Sequence, residues 1–196
     1  MINFKIQECK GKKMKQTLIV YAQNEPGVLN RVSSMIRKRN YNIDSLVAGE
    51  TENPGITRMT IVLNEPDRTK QSVIVNNLKR LIDVYDVVDA TDIDCHLREY
   101  ALLKIAISDI DPEEIKTLLN SDHSRILDED DDVIIVELSG DESTVEKTIA
   151  LFENYDIIEL MRSGKMAMVS GNDENHQPEL VKSDPSWTTQ RLSEAF

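Results

Sequence analysis

Residues 16–23, QTLIVYAQ, form a short apolar run of strand length. In the following VLNRVSSMIRKRN, Val28, Leu29, Val32, Met35 and Ile36 recur at helical spacing and predict one apolar face. Asn40 follows where a helix end favours a left-handed residue, a conformation asparagine tolerates. YNIDSLVAGE and GITRMTIVL read as two strands around the turn TENPG. In DRTKQSVIVNNLKRLI the apolar positions Val73, Ile74, Leu78, Leu81 and Ile82 predict a second helix, and DVYDVVDAT a fourth strand. The order is βαββαβ.

The same order then repeats. YALLKIAI is a strand, DPEEIKTLLN a helix, SRILDED a weak strand and DVIIVELS a strong one. DESTVEKTIALFEN is a helix, and DIIELMRSGKMAMVS reads as one last strand. Asp111-Pro112-Glu113 has the chemistry of a helix start: a capping side chain, proline in the first turn and an early acid. The fold class expected is α+β, with two ferredoxin-like βαββαβ units meeting near Cys95–Arg98. Residues 1–14 are polar and patternless and read as a disordered N-terminal extension, with Met14 as an alternative start. The last stretch, 172–196, is polar without a period and reads as a flexible tail. Units this small bury only about 60% of their unfolded surface. A sheet with helices on one face leaves the other face or an edge bare, and a second copy of the chain would cover it.

Composition narrows the function. The chain has 196 residues, is 40% apolar and only 5% aromatic, so its cores must be aliphatic. A formal net charge of −12 argues against a nucleic-acid partner. Two cysteines, Cys9 and Cys95, make neither a disulfide framework nor a CxxC pair, which fits a reducing cytoplasm. No apolar run approaches the roughly 20 residues of a membrane helix, and the N-terminus lacks a signal-peptide core.

Four stretches could carry chemistry. In NEPGVLNRV, residues 24–32, Asn24 can cap the helix, Pro26 stiffens the turn and Gly27 lets a ligand or backbone come close. First-turn amides and the helix dipole favour an anion, such as the carboxylate of a free amino acid. An ordinary capped turn explains the same residues and, on those residues alone, is the preferred reading. Asn42 and Ile43 begin the second strand. They could face the helix corner of another copy, or simply satisfy a turn and fill the core. The acidic run Asp128–Asp132 lacks the glycine and distal glutamate of a calcium loop and reads as a solvated hairpin turn. Cys95 and His96 are adjacent on an extended segment, so they point to opposite faces and share no proton easily. Trp187, near the C-terminus, is a weak docking signal. There is no GxSxG, P-loop or GxGxxG, and no catalytic constellation emerges.

The strand before NEPGVLNRV, then RKRNYNIDSL, then PGITRMTIVL, closely resembles the ACT domain of acetolactate synthase small subunits. The similarity continues through LKRLIDVYDVVD, HLREYALLKIAI and ELMRSGKMAMVSG, and covers residues 15–171. It implies an ACT domain at 15–94 and a C-terminal ferredoxin-like domain at 98–171. It further implies a non-catalytic regulatory subunit that activates a catalytic large subunit. That partner would carry thiamine diphosphate, Mg²⁺ and FAD, with no cofactor on this chain, and would condense pyruvate with pyruvate or 2-oxobutyrate. Feedback by a branched-chain amino acid, usually valine, is implied at an interface between two ACT domains. Asn24, Gly27 and Val28 would form one wall of that site, and Asn42 and Ile43 of the other chain the second. Asn30 stands where serine is common in the family and bears on the choice among valine, leucine and isoleucine. Asn40 replaces a common glycine and suits a left-handed cap. A free-standing amino-acid sensor controlling another enzyme is the alternative; an enzyme using Cys95 as nucleophile is a third.

Overall fold

Strand β1 (Gln16–Gln23) sends Leu18, Val20 and Ala22 to one side and Ile19 and Tyr21 to the other, and nearly all of it is buried. Burial on both faces is why its sequence is a continuous apolar run and not an alternating one. The computed structural model describes residues 15–107, 112–119 and 123–171. The N-terminal extension, the tail with His176 and Trp187, Cys9 and the Asp111 cap lie outside them.

Helix α1 (Val28–Lys38) follows, and then β2 (Ile43–Glu50), β3 (Ile56–Leu63), α2 (Arg68–Leu78) and β4 (Val84–Asp89). The strands form an antiparallel sheet in the order β2-β3-β1-β4, with β2 and β4 at the edges. Both helices pack on one face, over a core of Leu18, Val20, Val32, Ile36, Ile61 and Leu78, among others. Asn40 is left-handed (φ 62°) and ends α1 as expected. Two details of the helix faces differ from the sequence pattern. In α1 the buried stripe is Val28, Val32 and Ile36, and Leu29, about 100° around the helix from Val28, is 45% exposed. In α2 the Asp67 cap accepts N–H bonds from Thr69 and Lys70 and fixes a phase that buries Gln71, Ile74 and Leu78. Val73 and Ile82 are therefore exposed, and the helix stops at Leu78 instead of running to Ile82. Gln71 is tolerated inside because its amide donates to the Glu65 carbonyl at 2.6 Å.

The second unit is built on β5 (Cys95–Ala106), then α3 (Pro112–Leu118), β6 (Ser124–Glu129), β7 (Val133–Gly140), α4 (Glu142–Ala150), β8 (Ile157–Arg162) and β9 (Met166–Val169). Its sheet runs β6-β7-β5-β8, and Leu103, Ile105, Ile134, Val136, Val145 and Phe152 fill its core. Asp141 caps α4 through the Thr144 N–H at 2.7 Å. The acidic run contributes the end of β6 and the β6–β7 turn, where the Asp130 N–H bonds the Val133 carbonyl.

The stretch read as one last strand is two. Ser163–Lys165 interrupts it, with Gly164 at φ 84°. β8 pairs with residues 101–105 of β5, whereas β9 pairs with Cys95–Arg98, the segment where the sequence puts the unit boundary. This β5–β9 ribbon lies on the helix-free face of the first sheet. Ala167 packs there against Ile19, Val88 and Ala90, with Cys95, Leu97 and Val169 around them. The face expected to be bare for a second copy is thus covered, in this part, by the chain itself. Among the described residues no helix is long and apolar enough to cross a membrane.

Candidate effector site

Asn24, Gly27 and Val28 stand together between β1 and α1. The helix begins one residue after Gly27, which occupies the cap position in a left-handed conformation (φ 89°, ψ −12°) without a side-chain cap bond. Asn24 is therefore not the cap. The Val28 N–H closes a turn on the Glu25 carbonyl (3.3 Å), which delays the helix beyond the reach of Asn24. Instead, the Asn24 N–H donates to the Gly55 carbonyl (2.8 Å), and its side-chain oxygen accepts the Thr57 hydroxyl proton (2.9 Å). These two bonds fix Asn24 against the β2–β3 turn and leave its side-chain oxygen one further lone pair. Val28 is 2% exposed, so what it presents to the corner is backbone.

The first i→i−4 bond of α1 runs from the Arg31 N–H to the Gly27 carbonyl (3.0 Å), so the Leu29 and Asn30 amides precede it. The first turn of α1 contains no acidic residue, and its last turn carries Arg37 and Lys38. The positive end of the helix is thus unopposed by helix side chains. Arg31 reaches back over the corner and is held by Asp83, which precedes β4. Gly27 is exposed. A Cβ built on it would have Arg31 Nη1 as its nearest neighbour, at 3.6 Å, so the space above the glycine is open.

Asn42 and Ile43 lie at the other end of α1, an 11-residue helix about 16 Å long. Asn42 is exposed, with its carbonyl accepting the Asn64 N–H at 3.4 Å, and Ile43 packs on the edge of the core. One chain does not bring the two groups together. Both flank α1 and the edge strand β2, which among the described residues pairs only with β3.

Cys95 and His96 point to opposite faces of β5, and burial together with nearby Asp94 pushes the Cys95 thiol up, away from the reactive thiolate. Among the described residues, no group of three or more His, Cys, Asp or Glu side chains is placed to hold a metal ion. The sequence pattern did not single out Thr57, Arg31 or Asp83. Each acts across 33 to 52 residues of chain, and no local spacing signals such a contact.

A family model for an AHAS small subunit-like ACT domain matches residues 18–86, and one for the small subunit of acetolactate synthase matches residues 98–171. The probable acetolactate synthase small subunit of Archaeoglobus fulgidus is 40% identical over 81% of this chain and 99% of its own length. The acetolactate synthase small subunit of Bacillus subtilis is 31% identical over 82% and 94%. The crystal structure of the Thermotoga maritima acetolactate synthase small subunit superposes with a TM-score of 0.74 at 30% identity, covering 81% of this chain and 98% of that one. Two matching models in the right order, relatives matched over nearly their whole length and a shared three-dimensional fold lead to one conclusion: the chain belongs to the acetolactate synthase small-subunit family.

Proposed function

We propose that this protein is the regulatory subunit of a cytoplasmic acetolactate synthase: it activates the catalytic large subunit and makes it sensitive to a branched-chain amino acid, with valine the expected effector. Residues 15–94 act as the ACT domain and 98–171 as the C-terminal domain. The thiamine diphosphate, Mg²⁺ and FAD belong to the large subunit. The observation that carries this reading is the corner at Gly27. A left-handed, side-chain-free residue there opens onto the unopposed positive end of α1, next to a fixed asparagine oxygen. That pairing matches the two charged groups of a free amino acid: amides for the carboxylate, Asn24 for the ammonium.

Within one chain Asn42 and Ile43 are a helix length away. The reading therefore requires a homodimer in which the β2 edges and α1 helices of two ACT domains lie side by side. Each site then takes Asn24, Gly27 and Val28 from one protomer and Asn42 and Ile43 from its partner. An effector that bridges two chains stabilises the arrangement it fits best, and coupling of this kind is typically 1–3 kcal/mol, about 5–150-fold.

The test is acetolactate formation by the purified large subunit, with and without this chain and with and without valine. Activation that valine reverses is expected. Valine binding without activation would move the protein to the free-standing sensor.

A further inference from the structure

We propose that the Ser163–Lys165 turn is a latch that couples the effector wall on β2 to the C-terminal domain; this rests on the regulatory reading above. Two jobs meet within four residues at the start of β2. Asn42, just before the strand, and Ile43, its first residue, form the proposed effector wall, and Ser45 is the seat of the turn. The Lys165 N–H donates to Ser45 Oγ at 2.9 Å. Gly164 sits so close that a Cβ built on it would collide with Ser45 Oγ, 3.3 Å from Ser45 Cβ and 3.4 Å from Val47 Cγ2. Its φ of 84° also excludes an unstrained side chain. The fit is therefore specific to glycine on both counts.

Between wall and seat the strand is irregular. Ile43 pairs with Leu63 and Ser45 with Val62, so Asp44 is a bulged residue on an edge strand. Bulges re-aim the chain on either side of them, and they concentrate at sheet edges and binding sites. The Asp44 carboxylate is bound by Lys15 at 3.2 Å, and Lys15 also reaches Glu142 of α4 at 3.6 Å. Glu142 in turn pairs with Lys165 at 2.7 Å, which closes a ring from bulge to helix to turn. Around this ring is a cleft of about 460 Å³ between the two domains, with Val62 and Leu46 on the sheet side and Arg162 on the other.

A ligand that binds Asn42 and Ile43 acts on a strand end two residues from the seat of the turn. Ile43 pairs with Leu63 and the Asn42 carbonyl accepts the Asn64 N–H, and the bulge at Asp44 separates these contacts from the Ser45–Val62 pair, so the strand end and the seat can adjust relative to each other. Effector binding thus changes how firmly the turn is seated, and the C-terminal domain carries the change to the catalytic partner.

Hydrogen exchange at the Lys165 amide of the full chain tests this directly, with valine as the probe. Saturating valine is expected to change the exchange rate of that amide by tenfold or more. Gly164→Ala, which unseats the turn, is expected by reciprocity to shift the valine Kd by the same tenfold or more in calorimetry, still to activate the large subunit, and to lose most inhibition even at saturating valine. Ser45→Ala, which removes only the hydroxyl and serves if Gly164→Ala misfolds, is expected to weaken inhibition in the same direction. An unchanged Lys165 amide, or full inhibition of either folded variant, overturns the latch. Absence of valine binding to the native chain would instead overturn the regulatory reading itself, since calorimetry reads it independently.

Discussion

Replacing Gly27 by aspartate tests the effector corner most sharply. The residue sits at φ 89°, ψ −12°. A side chain in a left-handed conformation carries strain of about 1–2 kcal/mol, and aspartate is among the residues that adopt it most readily. Crowding adds little, since the nearest neighbour of the new Cβ is Arg31 Nη1 at 3.6 Å. The aspartate would lie beside that guanidinium and recover about 0.5 kcal/mol from exposed ion pairing. A net loss of about 1 kcal/mol leaves a domain of ordinary stability folded. The effector meets a much larger obstacle. Two carboxylates about 4 Å apart at an effective dielectric near 20 repel by about 4 kcal/mol, which is about a thousandfold in Kd. Calorimetry with valine, urea denaturation and acetolactate formation with the large subunit together read all three quantities. The expected result is a folded chain that activates and no longer responds to valine. Gly27→Ala, with the strain but not the charge, should fall between the native chain and Gly27→Asp in affinity. A folded Gly27→Asp chain inhibited by valine at the native concentration would refute the carboxylate assignment. Loss of activation as well would mean that the corner serves docking or folding.

Three further outcomes follow from single contacts. Thr57→Val removes the hydroxyl that holds Asn24 and keeps the β-branched shape. Stability should drop by less than about 1 kcal/mol while valine affinity falls several-fold; unchanged affinity in calorimetry would mean that Asn24 needs no positioning. Glu99 is 4% exposed and paired with Arg162 through two bonds of 2.6 Å. Glu99→Gln should lower the stability of the full chain by about 2 kcal/mol in urea, less than a fully buried pair because Arg162 keeps access to water; a loss within error would contradict the pairing. At Glu142, burial pushes the carboxyl up, but Lys165 and Lys15 outweigh it and hold the group below its ordinary value of 4.5. Its contribution is therefore complete above that value and is lost as pH falls through the lower, folded one. The melting temperature of the native chain should decline more steeply than that of Glu142→Gln between about pH 5 and pH 3, and parallel curves would refute the pairing.

The order of elements was legible because each signal is local. Apolar runs of strand length, the helical spacing of Val28, Val32 and Ile36, and the left-handed Asn40 all follow from residues within one or two turns of each other. The two places where the helix pattern misled are Leu29 and the Val73/Ile82 pair. Counting apolar residues does not say which of two adjacent ones meets the sheet; the cap sets the phase, and Gln71 takes a core position because a carbonyl is there to receive its amide. The corner before α1 was readable as NEPG, but its hydrogen bonding was not. Asn24 looked like a cap, and it is instead a side chain held by a hydroxyl 33 residues away.

What the sequence by itself determined is therefore the repeated βαββαβ plan, the family signature and the identity of the residues at the helix corner, all consequences of spacing along the chain. The tertiary structure alone decided that the last strand breaks at Gly164, that its second half crosses to cover the first sheet, and that the break is seated on Ser45. The Arg162–Lys165 interruption in the sequence does not reveal which sheet each half will join. That choice depends on the surface offered by Ile19, Val88 and Ala90, far earlier in the chain, and it is settled only when both sheets are present.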